Sequence, residues 1–185
     1  MIAEIQEWCE GRSWVPRALF LLWFAYLGVR YVIDPTASTI FDGLNLGIHE
    51  AGHLVFGFGP EVLEAAGGTI LQLAAPIGSA VMFARQPDWF ALPICGAWLA
   101  TNLYGVATYV GDARAQALQL VTVGGGEAQH DWTYLLGRFG MLGSDTSIAA
   151  FLRVLAFGTM WLSIGAGIWM LSCMAFSDKK NVGWA

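Results

Sequence analysis

Two histidines four residues apart with a glutamate directly after the first, His49-Glu50-Ala51-Gly52-His53, are the residues of this chain best suited to chemistry. On a helix, positions i and i+4 lie on one face about 6 Å apart along the axis, so both imidazoles reach a single metal ion while Glu50 stands beside it. A catalytic zinc (Zn2+) takes three protein ligands and keeps one position open for water, whose pKa it lowers towards neutrality while it polarises a carbonyl. His49 and His53 supply two of those ligands. Glu50, next to the metal but not on it, is the general base that takes the proton of the attacking water and passes it to the leaving amine. The third ligand must be His, Asp or Glu. The chain has only three histidines, and the third sits in His130-Asp131, so this adjacent pair holds the strongest candidates for completing the site.

The motif lies in an unusual setting. Residues 40–58 are otherwise mostly apolar and glycine-rich, and Asp42, Asn45, His49 and His53 fall at spacings of three, four and four, a polar stripe along an apolar helix. Gly43 and Gly47 form a G-x-x-x-G pair that permits close helix packing. Ionisable groups at membrane depth are costly and mark function, which favours a metal site over a metal-free packing stripe. Haem is disfavoured, because two histidines four apart on one helix cannot occupy opposite axial positions.

The elements that must carry this stripe are membrane helices. A composition 56% hydrophobic and only 12% charged, with 23 glycines and nine tryptophans in 185 residues, describes one all-α, polytopic integral membrane domain spanning residues 1–185. About five transmembrane helices are expected, near 14–33, 38–58, 66–85, 89–110 and 148–176. Residues 1–11 form a short helix on the membrane surface, Ser38 or Thr39 caps the second span, and residues 61–68 are a polar turn or re-entrant piece. Residues 111–146 form a polar loop with a glycine turn at 124–126 and a short helix after residue 131. The net charge of −5 offers no basic surface for nucleic acid, and Cys9, Cys95 and Cys173, odd in number and unpaired in spacing, are packing residues.

Other polar residues have structural readings. Asp131 alone would cap the helix that follows it. Asp112 would pair with Arg114, and Gln72 and Asn102 would make helix-to-helix hydrogen bonds. Counting helices alternately across the bilayer puts the N-terminus, the end of the second span and the 111–146 loop on one side. Arg12, Arg17, Arg114, Arg138 and Arg153 lie towards that side, against Arg30, Arg85, Lys179 and Lys180 on the other. This slight excess places the active side in the cytoplasm of a bacterial-type inner membrane.

An H-E-x-x-H element inside a membrane span, followed by further spans and a later aspartate, resembles the site-2 protease family of intramembrane zinc metalloproteases. The likeness of layout covers residues 38–142. Family members carry their third ligand on an aspartate at the start of a later helix, usually within Leu-Asp-Gly. The resemblance therefore implies Asp131 as third ligand, with His130 next and Asp112 third. Neither Leu-Asp-Gly nor the family's Asn-x-x-Pro element is present. The implied activity is hydrolysis of a peptide bond in a membrane-embedded protein substrate. A different class of function, favoured by small size and many tryptophans, is a catalytically silent structural or assembly subunit of a larger membrane complex.

Overall fold

The computed structural model describes residues 2–120 and 129–182, and these are helical with no strand among them. The helices are α1 (Ile2–Cys9), α2 (Val15–Ile33), α3 (Phe41–Phe56), α4 (Glu61–Arg85), α5 (Ala91–Gly111), α6 (Asp131–Arg138) and α7 (Asp145–Val182), with a 3-10 turn at Leu142–Ser144 before the last. The expected glycine turn at 124–126 lies outside the described residues.

Three helices are long and apolar enough to cross a membrane: Val15–Ile33, Glu61–Arg85 and, across the 3-10 turn and α7, Leu142–Ser177. They leave Leu19, Phe20 and Leu22 on α2, Ile70 and Ile77 on α4, and Val154 and Leu162 on α7 exposed. So much outward apolar surface suits lipid rather than water. Three of the five expected spans thus meet the requirement on length and apolarity. α3 has 16 residues, about 24 Å at 1.5 Å per residue, short of a hydrocarbon core of about 30 Å. α5 is long enough, but Trp98, Thr101, Asn102, Tyr104, Thr108 and Tyr109 dilute its apolar run.

Three buried clusters stack from one end of the bundle to the other and order the helices. Cys9, Leu21, Phe90, Met170 and Met174 form the first. The second gathers Phe24, Leu27, Ala97, Ala100, Met160 and Ile164. Val106, Val110, Ala113 and Leu136 form the third. Along this axis α2 rises with α5, since Leu21 meets Phe90, Phe24 lies with Ala97, and Tyr31 stacks on Tyr104 at 4.1 Å. α7 descends against both.

The second span does not return from the first. Phe41, at the start of α3, stacks on Phe24 in the middle of α2 (5.6 Å), not on residues near Ile33. Further along, Asn45 meets Trp98 and Thr101, and the His49 ring faces Tyr109 at 5.7 Å. α3 therefore climbs in the same direction as α2. Residues 34–40 carry the chain back down between them, a drop that seven residues of extended backbone span easily. Asp34 starts the return by accepting hydrogen bonds from the Thr36 hydroxyl (2.6 Å) and N–H (2.9 Å), which hold its carboxyl below the usual carboxylate range. Thr39 and Asp42 then start α3 as a reciprocal capping pair: Thr39 Oγ1 accepts from Phe41 N–H, and Asp42 accepts from both the N–H and hydroxyl of Thr39. Alternate counting across the bilayer fails for this reason. The end of α3 and the turn after α5 share one end of the bundle, whereas α1 lies at the opposite end, with Cys9 buried beside Met170.

The expected polar turn at 61–68 is instead the first two turns of α4. Pro60, extended at ψ 149, precedes the helix, and Glu61 and Glu64 in the first turn suit the positive end of its dipole. The glycines of this stretch serve packing. A Cβ on Gly52 would overlap the carbonyl of Gly67, and one on Gly67 would strike Phe56, so α3 and α4 approach backbone to backbone here. Gly43 and Gly47, expected to make such a contact, meet nothing within 4 Å.

Candidate metal centre

α3 carries both histidines, α4 braces their rings from the far side, and α6 adds the aspartate. His49 Nε2 lies 3.0 Å and His53 Nε2 3.2 Å from the same carboxylate oxygen, Asp131 Oδ2. These three ligand-type atoms all lie within 4.8 Å of one another, and no other such trio of His, Cys, Asp or Glu exists among the described residues. His49 and Asp131 are buried. Burial works against ionising the Asp131 carboxyl, but its contacts with the two imidazoles outweigh this and hold it below the usual carboxylate range.

The opposite nitrogens settle which atoms face inward. His53 Nδ1 lies 2.9 Å from the backbone carbonyl of Glu64, an acceptor only, so Nδ1 carries the proton and donates it. His49 Nδ1 lies 3.0 Å from Gln72 Oε1 and donates in the same way. In the neutral rings both Nε2 atoms are then left with lone pairs aimed at an anionic oxygen about 3 Å away. Protons shared among the three groups, or a cation between them, relieve that opposition.

The surrounding residues fix the arrangement. A Cβ on Gly68 would overlap the His49 ring, so glycine is what lets the imidazole lie against α4. Tyr109, on α5, donates its hydroxyl to Asp131 Oδ2 (3.2 Å) and accepts from the Asp131 backbone N–H (3.1 Å), clasping the residue from both sides. Glu50 lines the same cavity as the trio, a space of about 980 Å³ that also reaches Asn45, Thr101 and Tyr104.

His130 and Asp112 lie outside the trio. His130, not Asp131, caps α6, its Nδ1 accepting from Thr133 N–H at 3.2 Å. Burial holds its imidazole below the ordinary histidine range, although Asp112 pulls the other way, so the ring stays neutral and Nδ1 free to accept. Its Nε2 points at Asp112, 3.5 Å away. Asp112 accepts the N–H groups of Ala117 and Leu118 and so shapes the turn after α5. Arg114, its expected partner, pairs with Asp145 at 2.7 Å. Gln72 does bond between helices, and its partner is His49 itself. Asn102 does not, since its Nδ2 donates to the Trp98 carbonyl within α5. Tyr109 and Gly68 were not singled out from sequence: an aromatic near a helix end and one of many glycines carry no distinguishing pattern.

Comparison of the chain with protein-family models, with curated proteins and with solved structures finds no match.

Proposed function

We propose that this chain is an intramembrane zinc metalloprotease, similar in mechanism to the site-2 proteases, that hydrolyses a peptide bond of a membrane-embedded protein substrate. About five helices, α2 to α5 and α7, lie within a bacterial-type inner membrane, with the centre towards the cytoplasm. One observation carries the reading: two imidazole Nε2 atoms and a carboxylate oxygen converge, with the far side of each ring already hydrogen-bonded to an acceptor. Ligand atoms about 2.0–2.1 Å from a tetrahedral zinc stand about 3.3–3.4 Å apart, close to the 3.0 and 3.2 Å separations here. The outer acceptors supply the orientation that metal-binding imidazoles require.

His49, His53 and Asp131 would hold the zinc, which when bound would supply a water of near-neutral pKa and polarise the scissile carbonyl. Glu50 removes a proton from that water as its oxygen bonds to the carbonyl carbon. Glu50 then delivers the proton to the nitrogen as the C–N bond breaks, releasing a carboxylate and an amine. The cavity admits the segment to be cut and the water it consumes, which an apolar helix bundle would otherwise exclude.

The decisive experiment is zinc content and cleavage in detergent for wild type, His49→Ala, Asp131→Ala and Glu50→Gln. Expected are about one zinc per wild-type chain, its loss in the first two variants, and retained zinc without cleavage in Glu50→Gln. Cleavage by Glu50→Gln at the wild-type rate sinks the mechanism. A wild type that takes up no zinc after add-back sinks the metal centre and leaves the assembly-subunit reading.

A further inference from the structure

Asn45 stands one turn before His49 on α3, about 6 Å along the axis. It is 95% buried in the packed sense, only 5% exposed, yet it lines the cavity. Its orientation is determined. The Trp98 indole N–H, which can only donate, gives its bond to Asn45 Oδ1 at 2.9 Å, and this turns the amide nitrogen the other way. There Nδ2 has a single partner, Thr101 Oγ1, at the long distance of 3.5 Å. Thr101 has already given its own proton to the Trp98 carbonyl at 2.7 Å. An amide nitrogen carries two hydrogens, so one N–H of Asn45 has no partner among the described residues.

We infer that Asn45 is a backbone anchor for the substrate: its free Nδ2–H donates to a peptide carbonyl of an extended segment lying along α3 towards the metal. This rests on the proteolytic reading above and adds a substrate class to it. At about 3.3 Å per residue of extended chain, 6 Å places the accepting carbonyl about two residues from the bond that is cut. A helical segment satisfies Asn45 less well, because its carbonyls point along its axis and already accept its own N–H groups, leaving one lone pair each. The cavity therefore favours unwound peptide, and Asn45 rewards the unwinding. The indole of Trp98 is a positioning group that aims the amide.

The test uses the zinc-loaded, full-length Glu50→Gln protein and leucine hydroxamates of one, two and three residues, with the hydroxamate at either end of the peptide. Binding of the one-residue compound reads the metal centre alone. Each added residue then reads the neighbouring peptide contacts. In one of the two polarities, the second residue's carbonyl should tighten binding about tenfold, the size of one buried hydrogen bond. That gain should vanish in Asn45→Leu and Asn45→Asp, while one-residue binding is unchanged. Trp98→Phe breaks the same tie between α3 and α5 and loses the aim of the amide but keeps both of its N–H groups, and should keep part of the gain. A gain equal in wild type and both Asn45 variants overturns the anchor and leaves the metal reading intact. A loss in Trp98→Phe as complete as in Asn45→Leu also overturns it, since the residue would then matter only as a tie between helices. Failure of every hydroxamate to bind removes the metal reading and the anchor with it.

Discussion

Replacing Gln72 by leucine should weaken zinc binding without touching a ligand. Gln72 Oε1 lies 3.0 Å from His49 Nδ1, and both residues are buried, at 7% and 6% exposure. Leucine fills similar space but accepts nothing, so the Nδ1 proton loses its protein partner. An unsatisfied buried donor costs about 1–3 kcal/mol, equivalent to about a 5- to 150-fold change in affinity. The ring can escape that cost by moving its proton to Nε2, but this blocks the lone pair that faces Asp131, and the penalty then falls on metal binding by another route. Loss of such an outer partner costs about 10- to 100-fold in metal affinity elsewhere, in agreement with this range. Competition against a chelator of known zinc affinity, in one detergent and at fixed pH, measures the effect. Gln72→Glu, which keeps an acceptor at the same reach, should bind zinc as well as wild type or better. A Gln72→Leu protein of unchanged helicity that binds zinc within about twofold of wild type would refute the reasoning.

Gly68→Ala should displace the His49 ring and lower zinc occupancy more than Gly43→Ala or Gly47→Ala, whose Cβ atoms enter open space; metal analysis of the three variants decides it. His130→Ala should lower thermal stability by the loss of a helix cap, about 1 kcal/mol, while retaining zinc, whereas Asp131→Asn should lose zinc; the opposite pattern would make His130 the ligand. Zinc retention should fall as the pH drops through the range where free imidazole protonates, about 6.5, since each ligand must bind as its lone-pair form; a flat retention profile from pH 8 to 5 would contradict ligation by His49 and His53.

Local spacing made some of this centre readable in the sequence and left other parts invisible. The stripe Asp42, Asn45, His49, His53 follows directly from helical periodicity, and the structure places all four along one cavity. The scarcity of histidines led to the pair His130-Asp131, but only the resemblance to a family put Asp131 ahead of His130, because nothing in a stretch of 82 residues ties either to His49 before the chain folds. The exchange of roles between His130 and Asp131 turns on which side chain reaches the Thr133 N–H, a matter of one rotation about the start of α6. Gly43 and Gly47 show the limit of motif reading: their spacing permits close packing, but Gly52, Gly67 and Gly68, which have no such spacing, are where α3 and α4 touch. Span counting failed at residues 34–40, since hydropathy reports how apolar a segment is and says nothing about the direction in which it runs.

On the five-helix reading, the shared direction of α2 and α3 also bears on the order of assembly. Two helices that run the same way cannot enter a bilayer as the two arms of one hairpin, so α2 gives α3 no return leg. The arm that α3 can enter with is α4, antiparallel to it and seated against Gly52 through Gly67 and Gly68. His49 and His53 thus arrive early, on a hairpin still open on its far side. The aspartate that completes the trio is synthesised later, after α5 has been made. On the proposed metal reading, loading would be a late step of biogenesis: the nascent chain would carry a two-histidine half-site until α6, held to Tyr109, completes it.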